Sequence, residues 1–464
     1  MCIWAGLADY SSYYWQCDSS GKPVVSVCNW SGVTCTSRVI TAMSLSFLKT
    51  SLPTALGVLT GLRTLVLDGS PMTGSLPTSV GYLTSLVLIQ ASGCGLRGSI
   101  PTTVGYLTKL TKLSLGRNKL TGAFSRVSGA LGANSVRYFD ISSNMLNGSL
   151  TANIGSMSNL TYLDLHSNRL TGVIPSAVGR LTSLSYLNLN NNSLSGTLPS
   201  AVGRMASLTY LSIERNNGIT GRLPTTLNMT KSLVFLSIPG NGAIGSVLTG
   251  TIPSTLFLLS RLTYLRLSGN SLTGSLPSMV SKMSSLVRLD LGHNLMTGTL
   301  PTTLGVVPLG YLDMSFNFLI GVIPSSLTKP KTLILSYNFM TGAVPAGLTA
   351  SSLHLSRNRF TSFRSNFCYS NSGYCVYCPN FGSCCWSYEG YACTSQSRMY
   401  DVLMLDNNDK KMALDGCLSN CATTYVVSSS PTSLPSTSKF ALLHIYISMY
   451  LYIMTMYKCL LNCS

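Results

Sequence analysis

Apolar residues recur along most of this chain with a period near 24 residues, much longer than the period of a single helix or strand. Aligning Leu62, Leu86, Leu110, Val136, Leu160, Leu184, Leu208, Leu233, Leu262, Leu286 and Leu309 gives spacings of 24, 24, 26, 24, 24, 24, 25, 29, 24 and 23. Less regular units extend the pattern from near Val39 to near Phe363, about 14 units in all. Self-similarity on this scale predicts a stack of equivalent supersecondary units rather than a conventional single core.

One unit reads Leu160-Thr-Tyr-Leu-Asp-Leu-His-Ser-Asn168-Arg-Leu-Thr-Gly172-Val-Ile-Pro175-Ser-Ala-Val178-Gly-Arg-Leu181. Leu163 and Leu165 alternate with Asp164, the period-2 pattern of a short strand with one buried face. Asn168 follows the strand, where a side-chain amide can bond backbone groups that the turn leaves unpaired. Cys94 occupies this place in its own unit. Gly172 permits a tight bend, Pro175 fixes the extended stretch after it, and Val178 and Leu181 complete the core on the outer side. No unit can bury its leucines alone, but each covers its neighbour. Strands about 4.8 Å apart then form a curved parallel sheet of roughly 65 Å with a concave strand face.

Only 9% of the 464 residues are charged, and the formal net charge is +18 with Lys and Arg spread thinly. No basic stripe marks a nucleic-acid surface. Fourteen of the 15 cysteines cluster at the ends: Cys2, Cys17, Cys28 and Cys35, then eight from Cys368 to Cys421, with Cys459 and Cys463 last, while Cys94 sits inside the repeats. That distribution predicts disulfide-bonded caps in an oxidising compartment, and the odd total leaves at least one thiol unpaired within the chain. Cys375-Val-Tyr-Cys378 with Cys384-Cys385 has zinc-like spacing, yet outside the cell disulfides are the expectation, and no metal or cofactor is expected. Sequons at Asn29, Asn147, Asn159, Asn191 and Asn228 are candidate glycosylation sites; Asn462 lies beyond any anchor. The opening Met1-Cys-Ile-Trp-Ala-Gly-Leu-Ala8 lacks the basic and apolar regions of a signal peptide, and the expectation is that a leading segment is missing.

The resulting organisation is a Cys-rich N-terminal cap (1–37), repeats (38–365), a Cys-rich segment (366–426), a Ser/Thr/Pro linker (427–439), a hydrophobic segment (440–457) and a short tail (458–464). The hydrophobic segment runs Phe440 to Tyr457 without formal charge, barely long enough to span a bilayer. It reads either as a cleaved lipid-anchor signal following the small residues Ser428 to Ser430 or as a single membrane helix. Either places the chain at the cell surface, on the extracellular side of the plasma membrane.

The unit resembles the plant-specific leucine-rich repeat, L-x-x-L-x-x-L-x-L-x-x-N-x-L-x-G-x-I-P-x-x-L-G-x-L-x-x, over residues 39 to 363. Cys28-Asn-Trp30-Ser-Gly32-Val33-Thr-Cys35 is similar to the end of that superfamily's N-terminal cap, where such an element closes a disulfide; the resemblance therefore implies a Cys28–Cys35 bridge. Members include plant receptor-like proteins, receptor-like kinases and polygalacturonase inhibitors. The Thr-rich units and the enlarged Cys-rich segment look more like the lipid-anchored promastigote surface antigens of kinetoplastid flagellates. The fold implied is an α/β-type repeat solenoid, a leucine-rich-repeat horseshoe with Cys-rich caps.

Outward strand positions carry the candidate binding surface. An aromatic column runs through Tyr138, Tyr162, Tyr186, Tyr210, Phe235, Tyr264 and Tyr311, interrupted by Arg288. Two residues on, Asp140, Asp164, Asp290 and Asp313 stand among Asn188, Ser212, Ser237 and Arg266. Rigid rings beside short polar groups suit a protein or glycan ligand; alternatively the rings stack on one another and merely cover the sheet. The scattered His166, His293, His354 and His444 come with none of the familiar catalytic motifs. The chain is therefore expected to bind rather than catalyse, as a recognition or adhesion protein. A structural surface antigen without a dedicated ligand, and an inhibitor of a secreted hydrolase, are the alternatives.

Overall fold

The computed structural model describes residues 26–362, apart from 47, 133–134 and 241–246, together with the short strand Cys375–Val376. The N-terminal residues before 26, the eight-cysteine segment other than that strand, the linker, the hydrophobic segment and the tail lie outside the described residues. Among the described residues no helix is long and apolar enough to cross a membrane.

The repeats form one 16-stranded sheet. It begins with an antiparallel pair, Val33–Thr36 against Val39–Ser44, and continues entirely in parallel. Most strands are three residues long, such as Tyr162–Asp164 and Tyr186–Asn188, and they pair with no offset: Tyr162 faces Tyr186, Leu163 faces Leu187 and Asp164 faces Asn188. The inward leucines of successive units, including Leu163, Leu187 and Leu211, join one continuous buried core. Val178 and Leu181 close that core on the outer side, 3% and 0% exposed.

The outer side is built differently from an α/β repeat. Most units carry a five-residue 3₁₀ helix, as in Ser176–Arg180 after Pro175. The proline fixes its start and the next core leucine follows immediately, which leaves no room for a second α-helical turn. Among the described residues the α-helix occurs once, at Phe124–Leu131. This unit has Ser125 at the place of Pro175, and its spacing is 26 residues. Further short parallel sheets line the edge after the ladder asparagine, through Thr171–Val173 and Asn192–Thr197 in one and Thr249–Thr251 to Arg359–Ser362 in another.

Glycine is required at two places in the unit. Gly172 holds φ at +75°, and an added Cβ at Gly179 would lie 2.5 Å from the carbonyl oxygen of Ala201 in the next unit.

Asparagines tie the units together. Asn192 Oδ1 accepts from the Leu170 N–H of the preceding unit at 3.0 Å. Its Nδ2 donates to Leu165 O of that unit at 3.0 Å and to Leu189 O and Asn190 O of its own at 3.1 and 3.2 Å. Asn118, Asn144, Asn216, Asn294 and Asn338 repeat the pattern. Cys94 fills the same place: its thiol donates to Leu67 O at 2.9 Å, and burial pushes the thiol up to about 11. The cap closes the first edge with Trp30 2% exposed and the expected disulfide between Cys28 and Cys35.

The ladder makes a graded stability prediction. Asn192→Ala strands one acceptor-seeking N–H and several carbonyls in a buried turn, and lowers folding stability by about 2–3 kcal/mol. Cys94→Ala removes one weak donor and costs about 1 kcal/mol. Urea unfolding of the full chain measures both; equal losses would contradict the role given to the asparagine.

Candidate functional site

Because the strands are three residues long and in register, equivalent side chains of neighbouring units stand directly beside each other. The first outward position becomes a continuous stack. Tyr138, Tyr162, Tyr186, Tyr210, Phe235 and Tyr264 lie face to face, with centroids 4.3, 4.4, 4.3, 4.4 and 4.2 Å apart and interplanar angles no larger than 15°. These spacings are shorter than the roughly 4.8 Å between strands, so the side chains converge and this face is concave.

Cations bound the stack. Lys112 Nζ sits 4.8 Å from the Tyr138 centroid. Arg288 is sandwiched, its guanidinium 5.5 Å from Tyr264 and 3.7 Å from Tyr311. Its Nε is buried and makes no hydrogen bond among the described residues, so the flanking rings hold the group. Every interior ring therefore spends both faces within the protein, and only edges and hydroxyls meet solvent.

Those hydroxyls turn toward the second column. Tyr162 and Tyr311 donate to Asp164 Oδ2 and Asp313 Oδ2, both at 3.3 Å. Tyr186 Oη accepts from Asn188 Nδ2 at 3.3 Å. Burial first, and then the nearby carboxylates, raises the phenols of Tyr138, Tyr162 and Tyr311; Tyr186 is pushed up to about 12.

Asp140 stands beside Asp164, and Asp290 beside Asp313, on adjacent strands. Asp164 binds His166 Nδ1 at 2.6 Å and is 6% exposed. Asp290 binds Arg266 Nε at 3.2 Å and is 8% exposed. Burial and the charge of Asp313 raise the Asp290 carboxyl. Asp140 and Asp313 are half-buried; Asp140 accepts from the Ser142 N–H, and Asp313 accepts from the Ser315 N–H and from the hydroxyls of Ser315 and Tyr311. The four sequence-expected carboxylates are thus assembled into two like-charged pairs.

A second ring stack was not anticipated from the sequence. His293, Phe316 and Tyr337 stack at 4.1 Å on turns with φ of 53°, 51° and 57°, and Arg357 lies 6.0 Å from the Tyr337 centroid. The readable signal is the residue immediately before each ladder asparagine: His293-Asn294, Phe316-Asn317, Tyr337-Asn338 and Arg357-Asn358.

Ser143 Oγ, His166 and Asp164 fall in line, with Oγ 3.4 Å from Nε2 and Nδ1 2.6 Å from Oδ1. The peptide N–H groups of Ser143 and Asn144 are already donated to His166 O and Ser167 O at 2.8 and 3.1 Å. This turn therefore offers no oxyanion donors of its own, and an acyl-transfer site needs them. Of the sequon asparagines, Asn29, Asn147, Asn159 and Asn191 are exposed. Asn228 is half-buried, and the threonine of its sequon, Thr230, is fully buried and donates to Leu227 O.

The phenols give a pH dependence. Their folded-state values lie above the ordinary tyrosine value of about 10, so their contribution is present below pH 10 and is lost as pH rises through the folded values, about 12 for Tyr186. Alkaline unfolding followed by circular dichroism and phenolate absorbance is expected in that window. Tyr186→Phe should move its midpoint upward; an unchanged midpoint would detach the column from stability.

Comparison with known proteins follows the geometry. The leucine-rich-repeat family models match residues 158–217 and 261–283. No curated protein matches the chain. A TDR receptor structure is 30% identical with a TM-score of 0.60, covering 68% of this chain and 59% of that one. The plant peptide hormone receptor RGFR1 in complex with RGF2 is 26% identical with a TM-score of 0.52, covering 68% and 62%. A leucine-rich-repeat protein of Leptospira interrogans is 26% identical with a TM-score of 0.50, covering 69% and 91%. The chain thus spans about three fifths of the length of the two receptor structures. Family models, the strand-and-asparagine unit and the receptor ectodomain neighbours agree that the chain carries leucine-rich repeats in a solenoid similar to those of plant receptor ectodomains.

Proposed function

We propose that this chain is an extracellular or cell-surface recognition protein whose concave face holds an extended peptide segment of a protein ligand. The carrying observation is the closed aromatic stack. A sugar ring is gripped across an aromatic face, and the interior faces from Tyr162 to Phe235 are spent on neighbouring rings. What the column offers is ring edges, hydroxyls, carboxylates and amides, which suit peptide groups and polar side chains. This favours the protein side of a protein-or-glycan expectation. A peptide hormone complexed by the receptor RGFR1 fits the same reading.

Membrane attachment through residues 440–457, glycosylation at the exposed Asn29, Asn147, Asn159 and Asn191, and kinship with flagellate surface antigens belong to this proposal as its setting. A rigid scaffold with no oxyanion donors at its Ser143–His166 pair acts by binding rather than catalysis.

The test is selection of linear peptides from a display library on the immobilised full-length chain. Selected peptides are expected to lose at least tenfold in affinity for Ser268→Trp, an uncharged plug two residues beyond Arg266 at the end of strand Tyr264–Arg266, and to bind Tyr82→Ala, on an outer 3₁₀ helix, unchanged. Peptides insensitive to the plug would overturn the reading.

A further inference from the structure

Charge is sorted across this solenoid. The formal net charge is +18. Yet every acidic residue among the described residues stands on an outward strand or strand-end position of the concave side: Asp68, Asp140, Asp164, Glu214, Asp290 and Asp313. Few cations share these columns. Lys112 and Arg288 are held by rings, and Arg266 is held by Asp290 at 3.2 Å and Glu214 at 3.5 Å.

The sheet pays for this arrangement. Like charges directly opposite on neighbouring strands are destabilising, and both Asp140–Asp164 and Asp290–Asp313 are such pairs. The intervening units show that the fold does not need a carboxylate there, since Asn188, Ser212 and Ser237 fill the position. In each pair one member is committed within the protein, Asp164 to His166 and Asp290 to Arg266. The other, Asp140 or Asp313, faces the concavity half-buried with hydrogen bonds but no ion pair among the described residues.

Resting on the peptide-binding reading, we infer that the concave face is a two-point clamp for a dibasic extended peptide, one Lys or Arg meeting Asp140 and another meeting Asp313. The strands of Asp140 and Asp313 are seven steps apart in the sheet. At about 4.8 Å per step on the backbone, and somewhat less on the concave side, the carboxylates lie roughly 30–34 Å apart. An extended chain covers that distance in about nine or ten residues. The peptide runs across the strands, its backbone over the tyrosine edges. Net positive charge repels a cationic peptide only weakly beyond about 8 Å at physiological ionic strength, so capture is local to the two carboxylate pairs. Two weak contacts linked at the matching span reinforce each other; the same two cations at the wrong span cannot.

The experiment uses the full-length chain and three synthetic peptides in one Gly/Ser/Thr frame: arginines at i and i+9, arginines at i and i+2, and glutamates at i and i+9. Calorimetry should show the i, i+9 arginine peptide binding at least tenfold tighter than the other two. Asp140→Asn and Asp313→Asn should each remove most of that advantage while circular dichroism melting stays unchanged or rises, since each relieves a like-charge pair. Equal affinity for the three peptides, or full retention in both variants, would overturn the clamp. Library peptides that respond to the Ser268→Trp plug but carry no spaced cations would overturn the clamp alone, whereas peptides insensitive to the plug would overturn the underlying reading.

Discussion

Hydrogen bonding between one unit and the next governs this molecule. A strand of three residues, such as Tyr162–Asp164, has no independent stability and satisfies its peptide groups only through the strands on either side. The turn after it has the same need, and Asn192 meets it by reaching back to Leu165 and Leu170. Interdependence of this kind makes termini costly, which is why the first parallel strand is covered by an antiparallel partner, a buried tryptophan and a disulfide.

The same in-register pairing decides what the surface can look like. Unshifted parallel strands bring each position against its own counterpart, so tyrosine meets tyrosine and aspartate meets aspartate. For rings the outcome is favourable: flat faces at 4.2–4.4 Å exclude water and stiffen the sheet. For carboxylates it is unfavourable, and the chain tempers it by binding one member of each pair to His166 or Arg266. Arg288 shows the rule from the other side, since a guanidinium can replace a ring in the stack by presenting its own flat face.

Much of this was legible in the sequence because the repeat states its own geometry many times over. The leucine spacing identified the core, Asn168 and its equivalents identified the ladder, and the columns at Tyr138 and Asp140 identified the concave face. What escaped was relational. The conformation of the outer segment depends on how few residues lie between Pro175 and Leu181, and single-unit patterning does not separate a 3₁₀ from an α turn. Ring stacking was one of two readings the sequence left open, and what decides between them is sheet curvature, which no unit carries alone. The His293–Phe316–Tyr337 stack was missed because the residue before the ladder asparagine varies freely in earlier units, and bulky side chains at positive φ are uncommon.

Seamless pairing along the stack between Tyr162 and Tyr264 has a consequence for how such a protein changes over time. Loss or duplication of one whole unit in that stretch leaves strands, ladder and core able to rejoin without a seam. What alters is the number of steps between features on either side, by about 4.8 Å for each unit. Dimensions of the concave surface are therefore inherited as integers, and recombination between units can lengthen or shorten the molecule's reach without disturbing the chemistry at either end.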